Sequence, residues 1–404
     1  MFRRFRVRNF LCLKDVTVDL EPLTTFVGPN SSGKSALFKA LSTFCRLLWY
    51  PVRGGPGGDF YVEPGAGLDA VVWNGDTGSP ITFEVWFADS DSEEPDYTLE
   101  LRRSLEGWSI AREKFLFNGK WLDTKEGFKF PTSKEERFWA GPFRAPLAYL
   151  TASPHLSQDS VVVQYVKPIQ DLRERLGRAR RYRPSASDIA SSIKLAAGTE
   201  PPEVNESGRG TAFALQDILT GDRDTFSMIE KELSKLHDHV LGMNFRPGWQ
   251  GLGLFYRTTR TTGVDIPATL ESDGVLLSTF LLWRVYSAPA YLKLCLEEPE
   301  NGVHLFALKQ RYQLLKRFAT EQTGRPRPQI LVSTHSRDFL NALQHESRTE
   351  MVKQVRLVEF SPTTGTSIRT LAHYREIHQL LDEFRGQIGD LWWSEKLSHK
   401  PDRQ

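Results

Sequence analysis

FVGPNSSGKSALFKAL, residues 26–41, separates Gly28 from Gly33-Lys34-Ser35 by the four residues Pro29, Asn30, Ser31 and Ser32. This is the spacing G-x-x-x-x-G-K-[ST], in which the glycines let the backbone wrap closely enough for successive N–H groups to face phosphate oxygens. The helix that follows adds its positive end. Lys34 is placed to reach the β- and γ-phosphates of a nucleotide, and the Ser35 hydroxyl to ligate Mg²⁺. A chance glycine turn would lack the flanks this loop has. Apolar LTTFV runs into it, and KSALFKALSTFCRLLW, with apolar residues at helical spacing and no breaker, predicts a helix from Lys34 to about Trp49. The loop alone does not separate kinases, GTPases, transporters and motors.

The wider chain narrows the choice. Its 404 residues suffice for one large domain or two to three ordinary ones. With 40% hydrophobic and 25% charged residues and a net charge of +2, any nucleic-acid surface must be local. Cys12, Cys45 and Cys295 offer neither a disulfide framework nor a CxxC metal pair, which fits a reducing cytoplasm. MFRRFRVRNF lacks a signal-peptide apolar core, and no apolar run approaches the ~20 residues of a membrane span. A soluble, cytoplasmic protein without a membrane partner is expected.

FRRFRVRNF, DVTVDL and LTTFV read as three opening strands. ITFEVWF, YTLELRR and SIAREKFLF alternate as antiparallel sheet, and PLAYLTAS reads as a buried strand. An arginine-rich helical region is expected from about 161 to 243, interrupted by polar GTEPPEVNESGRG. The last third alternates strand-like and helix-like segments (YLKLCLEE, LFALKQRYQLLKRFA, PQILVSTH, SRDFLNALQ, VRLVEF), the pattern of a parallel sheet flanked by helices. The expected organisation is an N-terminal lobe with the glycine loop and antiparallel region (1–160), a helical, Arg-rich insertion (161–250) and a C-terminal lobe (251–404). The fold class is α/β: a mixed sheet flanked by helices, with an antiparallel β subdomain and the helical insertion.

Apolar YLKLCL ends in Glu297-Glu298-Pro299-Glu300-Asn301. Strands usually end in turn residues; two acids there suit Glu297 as a Mg²⁺ or water contact and Glu298 as the group that polarises the attacking water. A second apolar strand ends in Ser333-Thr334-His335-Ser336. A lone histidine here is more often an ordinary structural residue, but the place of His335 one β–α unit after the acids favours a hydrogen bond to the γ-phosphate. Ser272-Asp273-Gly274 opens an apolar helix, where serine and free N–H groups can bind an anion or simply cap the helix.

Together, in order, these segments resemble the ATPase head of the ABC superfamily, in its RecF/SMC/OLD-like branch. Gly28–Ser35 is similar to the Walker A motif, Ser272-Asp273-Gly274 to the shortened signature, CLEEPENGVH to Walker B and its loop, and VSTHS to the switch histidine. The resemblance covers roughly residues 1–50 and 265–360. It implies a P-loop fold, with Lys34, Glu298 (the base) and His335 as catalytic residues and Ser35 and Glu297 on Mg²⁺. It also implies a homodimer in which each ATP lies between one subunit's Walker A and the other's Ser272 and Gly274. Glu297 stands where many relatives have Asp, and only Gln158 offers itself as the glutamine-loop residue. After His335 no strand ends in Asp-x-Asp, as a Toprim nuclease domain would require, and no long coiled coil is present. An effector activity would then belong to a partner protein.

QDLRERLGRARRYRP, residues 170–184, reads as a basic helix with Arg173, Arg180 and Arg183 on one face, either a DNA or RNA contact or a solvated face. His237-Asp238-His239, read as helical, would point its imidazoles apart and is assigned no metal. RGGPGG is read as a connector. The leading function is an ATP-hydrolysing switch of DNA-maintenance or phage-defence type. The alternatives are an ATP-gated non-catalytic scaffold and, against the absent LSGGQ-type signature, a transporter nucleotide-binding subunit. No guanine-reading Asn/Thr-Lys-x-Asp stretch supports a GTPase.

Overall fold

Apolar Phe2, Phe5 and Val7 set between arginines make a strand with one face for the core and one for solvent. The computed structural model of the chain describes residues 1–49, 61–63, 66–105, 107–117, 120–123, 129–130, 138–139, 170–194, 203–248, 251–301, 305–321, 327–374, 376–394 and 396–397. In it the three opening strands are β1 (Phe2–Phe10), β2 (Leu13–Asp19) and β3 (Leu23–Val27), followed by α1 (Lys34–Trp49). The antiparallel region is β4 (Ile81–Phe87), β5 (Tyr97–Ser104), β6 (Gly107–Phe117) and β7 (Lys120–Asp123). Then come β8 (Ala179–Tyr182), α2 (Thr211–Gly221), α3 (Arg223–Leu236) and the hairpin β9 (Val240–Gly248) and β10 (Gly251–Thr258). The last third holds α4 (Asp273–Tyr286), β11 (Lys293–Glu297), α5 (Leu305–Thr320), β12 (Gln329–Thr334), α6 (Arg337–Asn341), β13 (Val355–Ser361) and β14 (Gly365–Thr370). The fold is α/β, as the sequence predicts. PLAYLTAS, Gln158, His304 and the RGGPGG loop lie outside the described residues.

The chain divides into two units. The first comprises residues 1–179, 290–293 and 352–375. Its antiparallel sheet runs in the order β2-β1-β4-β5-β6-β7. Register is fixed on both faces of β1. Arg6 pairs across with Asp15 through two hydrogen bonds of 2.8 and 2.7 Å, and Arg8 reaches Glu84 at 3.1 Å. On the other face an aromatic cluster closes the core against α1: the Phe44 ring lies 5.9 Å from Phe5, 5.6 Å from Phe83 and 5.8 Å from Tyr97. Wholly buried β3 pairs in parallel with β13, which pairs antiparallel with β14. The phosphate-loop segment leaves from this buried strand.

The second unit comprises residues 180–289, 294–351 and 376–404. Strands β8, β11 and β12 are adjacent in that order. Strands β11 and β12 are buried at every position, which is why they read as unbroken apolar runs. Helix α4 buries every residue from Val275 to Val285, so its sequence is apolar nearly all round. Asp222 caps α3, accepting from Thr225 N at 3.0 Å, and Ser336 caps α6, accepting from Phe339 N at 3.1 Å.

The expected basic helix does not form as one element. Residues 170–176 are helical, but Gly177 adopts φ +65°, a left-handed conformation that ends a helix, and β8 begins two residues later. Arg173 therefore lies in the helix, Arg180 in a strand and Arg183 just past it. Residues 179–182 form a strand instead, with the buried Tyr182 ring 5.1 Å from that of Phe280. No helix among the described residues is long and apolar enough to cross a membrane.

Candidate active site

The phosphate-loop half belongs to the first unit. Gly33 sits at φ +108°, and a Cβ there would collide with Thr366 Oγ1. Thr366 instead donates to Ser32 O at 2.9 Å while its own N–H reaches Cys12 O at 2.9 Å, so β14 braces the back of the loop. Lys34 is buried, its Nζ donating to Gly28 O and Pro29 O at 2.7 Å each. Pro29, Asn30, Ser31 and Ser35 are exposed. The Ser32 hydroxyl is buried without a hydrogen-bond partner among the described residues, a donor that a seated phosphate would satisfy. The loop thus fits an anionic ligand by backbone geometry and by this orphaned hydroxyl.

The acidic half belongs to the second unit. Glu298 has φ +48°, a conformation that costs a side-chain-bearing residue roughly 1–2 kcal/mol. Its N–H is tied to Ser333 O at 2.9 Å, so the loop leaving β11 is pinned to the end of β12. One carboxylate oxygen, Oε2, accepts from Arg183 at 2.6 Å and from Asn301 at 2.9 Å. The other, Oε1, lies 3.3 Å from His335 Nδ1. Partial burial acts to raise the Glu298 pKa. The Asn301 hydrogen bond and the charge and hydrogen bond of Arg183 outweigh it and hold the carboxyl below its ordinary value. An ionised carboxylate is thereby favoured at neutral pH, the form that can orient a water and accept its proton.

Neighbouring carboxylates differ. Glu297 is buried, with Arg181 Nη1 3.6 Å from Oε1. Glu300 is buried, and burial raises its pKa even though Thr334 Oγ1 donates to it. Hydroxyl and carboxylate oxygens are the hard donors Mg²⁺ takes, so the chemistry of Ser35 and Glu297 fits the ion. Among the described residues no group of three or more His, Cys, Asp or Glu could hold a metal by itself.

Ser272 stands at the N-cap of α4, but its hydroxyl makes no capping hydrogen bond, and both it and Asp273 are exposed. The turn is held from beneath instead. Glu271 accepts from Ser272 N at 2.9 Å, and Ser278 donates to Gly274 O at 2.7 Å. His237 lies past the end of α3, its Nε2 3.0 Å from Ser278 Oγ, and the His237 and His239 ring centroids are 6.2 Å apart, so the imidazoles do not diverge as a helix would make them.

Of the predicted residues, the second unit brings Glu297, Glu298 and His335 together, and the first assembles Gly28 to Ser35. Sequence reading missed Arg183 and Asn301 as partners of Glu298, and Thr366 behind the loop. Asn301 had a signal in its place three residues after Glu298; Arg183 had none once its stretch was read as helical. Arg180 and Arg181 are likewise occupied, by Glu203 at 3.0 Å and Glu206 at 2.6 Å.

Residues 23–341 match the protein family described as "AAA domain, putative AbiEii toxin, Type IV TA system". Over 53 residues the chain is 40% identical to an OLD nuclease of Thermus scotoductus, a match covering 13% of this chain and only 10% of that protein. Among solved structures, the SMC head domain from Thermotoga maritima aligns with a TM-score of 0.42 at 13% identity, over 91% of this chain and 98% of the other. An Smc head with an extended coiled coil, bound to the C-terminal domain of ScpA derived from Pyrococcus furiosus, gives 0.45 at 13% identity, over 95% and 99%.

Proposed function

The chain belongs to this AAA-domain family, and from that premise we propose that it is an ATP-binding and ATP-hydrolysing switch of the RecF/SMC/OLD-like type. It works as a homodimer closed around two ATP molecules and acts with a partner effector in DNA maintenance or anti-phage defence. The observation that carries the reading is Glu298. A buried strand delivers this carboxylate in a strained conformation, fixed through its backbone to the strand that leads into His335. Strain of that kind persists where surroundings over-determine it, as they do at reactive sites.

In this reading Lys34 and the loop amides would bind the β- and γ-phosphates, and Ser35 and Glu297 would be the residues to hold Mg²⁺, which would offset phosphate charge. Glu298 orients the water and accepts its proton as the γ-phosphoryl bond to ADP breaks, and His335 donates a hydrogen bond to the departing phosphate. Arg183 must give up part of its hold on Glu298 for that oxygen to face water. Nucleic-acid contact through Arg173, Arg180 and Arg183 loses its expected helical face and is not part of the reading.

The test is phosphate release by the purified chain with Mg²⁺ and ATP. Lys34→Ala should lose nucleotide binding. Glu298→Gln should keep ATP affinity within about threefold while turnover falls about 100-fold or more, because an amide cannot accept the proton. ATP binding without turnover by the wild type would make the chain a non-catalytic scaffold. Full turnover by Glu298→Gln would move the base to another carboxylate.

A further inference from the structure

Arg311, on α5, is buried and carries a charge that burial disfavours, its pKa pushed down to about 10. A buried guanidinium needs hydrogen-bond acceptors to offset its desolvation. Its guanidinium spans two segments far apart in sequence. Nη1 donates to Pro299 O at 2.6 Å, in the loop that carries Glu298. Nη2 faces Gly274 O at 3.5 Å and Ser278 Oγ at 3.4 Å, at the start of α4. Ser278 donates to Gly274 O, leaving its lone pairs to face Arg311 and His237. Glu300, in the same loop, is the favourable charge for Arg311.

We propose that Arg311 is a positioning residue. It fixes the Glu298-Pro299-Glu300 loop relative to the Ser272-Asp273-Gly274 turn, so that the carboxylate and the turn move as one piece. This rests on the proposed ATP hydrolysis. Arg311 contacts no reacting atom; it acts through the Pro299 and Gly274 carbonyls, which it draws to one planar fork. A planar fork suits two acceptors at a set angle, whereas an ammonium group does not impose one. Loss of the fork would let the loop and the turn adopt separate positions, leaving the phosphate loop and its ATP affinity intact.

The experiment uses the full chain and compares wild type, Arg311→Lys and Arg311→Met for ATP dissociation constant, KM and kcat. A cavity of about 20 Å³ beside Arg311, His237 and Ser278 leaves room for a water to complete the shorter lysine. Arg311→Lys is therefore the variant that keeps the fold if Arg311→Met does not. Both variants should hold ATP within about threefold of wild type. The kcat of Arg311→Lys should fall about fivefold or more, and that of Arg311→Met about 30-fold or more. Adding Ser278→Ala to Arg311→Lys should cost little further, since the two act through one network. The role is overturned if Arg311→Lys retains wild-type kcat, or if kcat falls only in step with weakened ATP binding. A wild type that releases no phosphate overturns the proposed hydrolysis itself, and the positioning role with it; an active wild type with active variants overturns the role alone.

Discussion

His237 shows how one side chain near α4 ties the site to solution conditions. Burial first, then the neighbouring His239 and Arg311, push its pKa down from 6.5 to about 4, against the pull of Glu271. The folded chain therefore holds His237 neutral where the unfolded chain would protonate it. Since the unfolded state binds more protons between pH 6.5 and 4, stability contributed by this residue is fully present above pH 6.5 and is lost as pH falls toward 4. The ring is partly solvent-exposed, so the shift is worth only about 2 kcal/mol. His237→Gln keeps a hydrogen bond for Ser278 and cannot titrate. Denaturant midpoints at pH 7.5 and pH 4.5 should fall less steeply for the variant than for the wild type; parallel falls would mean that His237 is protonated in the folded chain. The sequence showed His237 but not its surroundings, because its neighbours Ser278 and Arg311 come from α4 and α5.

At the scale of elements, Gly177 decides whether residues 170–184 form one helix or a helix and a strand. A Cβ at Gly177 would meet the Tyr291 carbonyl, a backbone atom, and lie 2.6 Å from Lys293 Nζ, in addition to the penalty of φ +65°. Gly177→Ala should destabilise the chain by about 2–4 kcal/mol, read as a lowered urea midpoint with the helix content of α1 and α4 unaltered. A midpoint within experimental error of wild type would mean that the turn relaxes freely and that Gly177 does not set the boundary. The same stretch shows the limit of reading by pattern. The helix α1 was legible to its end residues, because amphipathic spacing and the loop before it both mark it. Strands β1, β4, β5, β11 and β12 were legible from alternation or from unbroken apolar runs. The strand β8 was not, since ARRY has the composition of a charged helix and becomes a strand only beside β11. Glu298 and His335 were legible as strand-end residues, whereas the guanidinium on Glu298 depended on that unread strand.

At the scale of the whole molecule, the question is whether one chain holds a complete site. The proposed dimer places Ser272 and Gly274 of one subunit over the ATP held by Lys34 and Ser35 of the other, excluding water where charge develops on the γ-phosphate. Ser272 is suited to a test because its side chain is exposed and caps nothing, so Ser272→Arg should leave α4 folded. That variant should bind ATP and fail to close, its cation standing where the serine meets phosphate. Lys34→Ala should fail to bind. When the two are mixed, half of the composite sites in a mixed dimer carry both defects and the other half are built from unmutated motifs only. Each variant alone should not occlude ATP, and the mixture should recover occlusion at one site per mixed dimer. Occlusion is the readout, because turnover can require both sites to close together. Wild-type turnover per chain should also fall on dilution through the dimerisation range. Normal occlusion by Ser272→Arg alone, or turnover per chain independent of dilution, would place the complete site within a single chain.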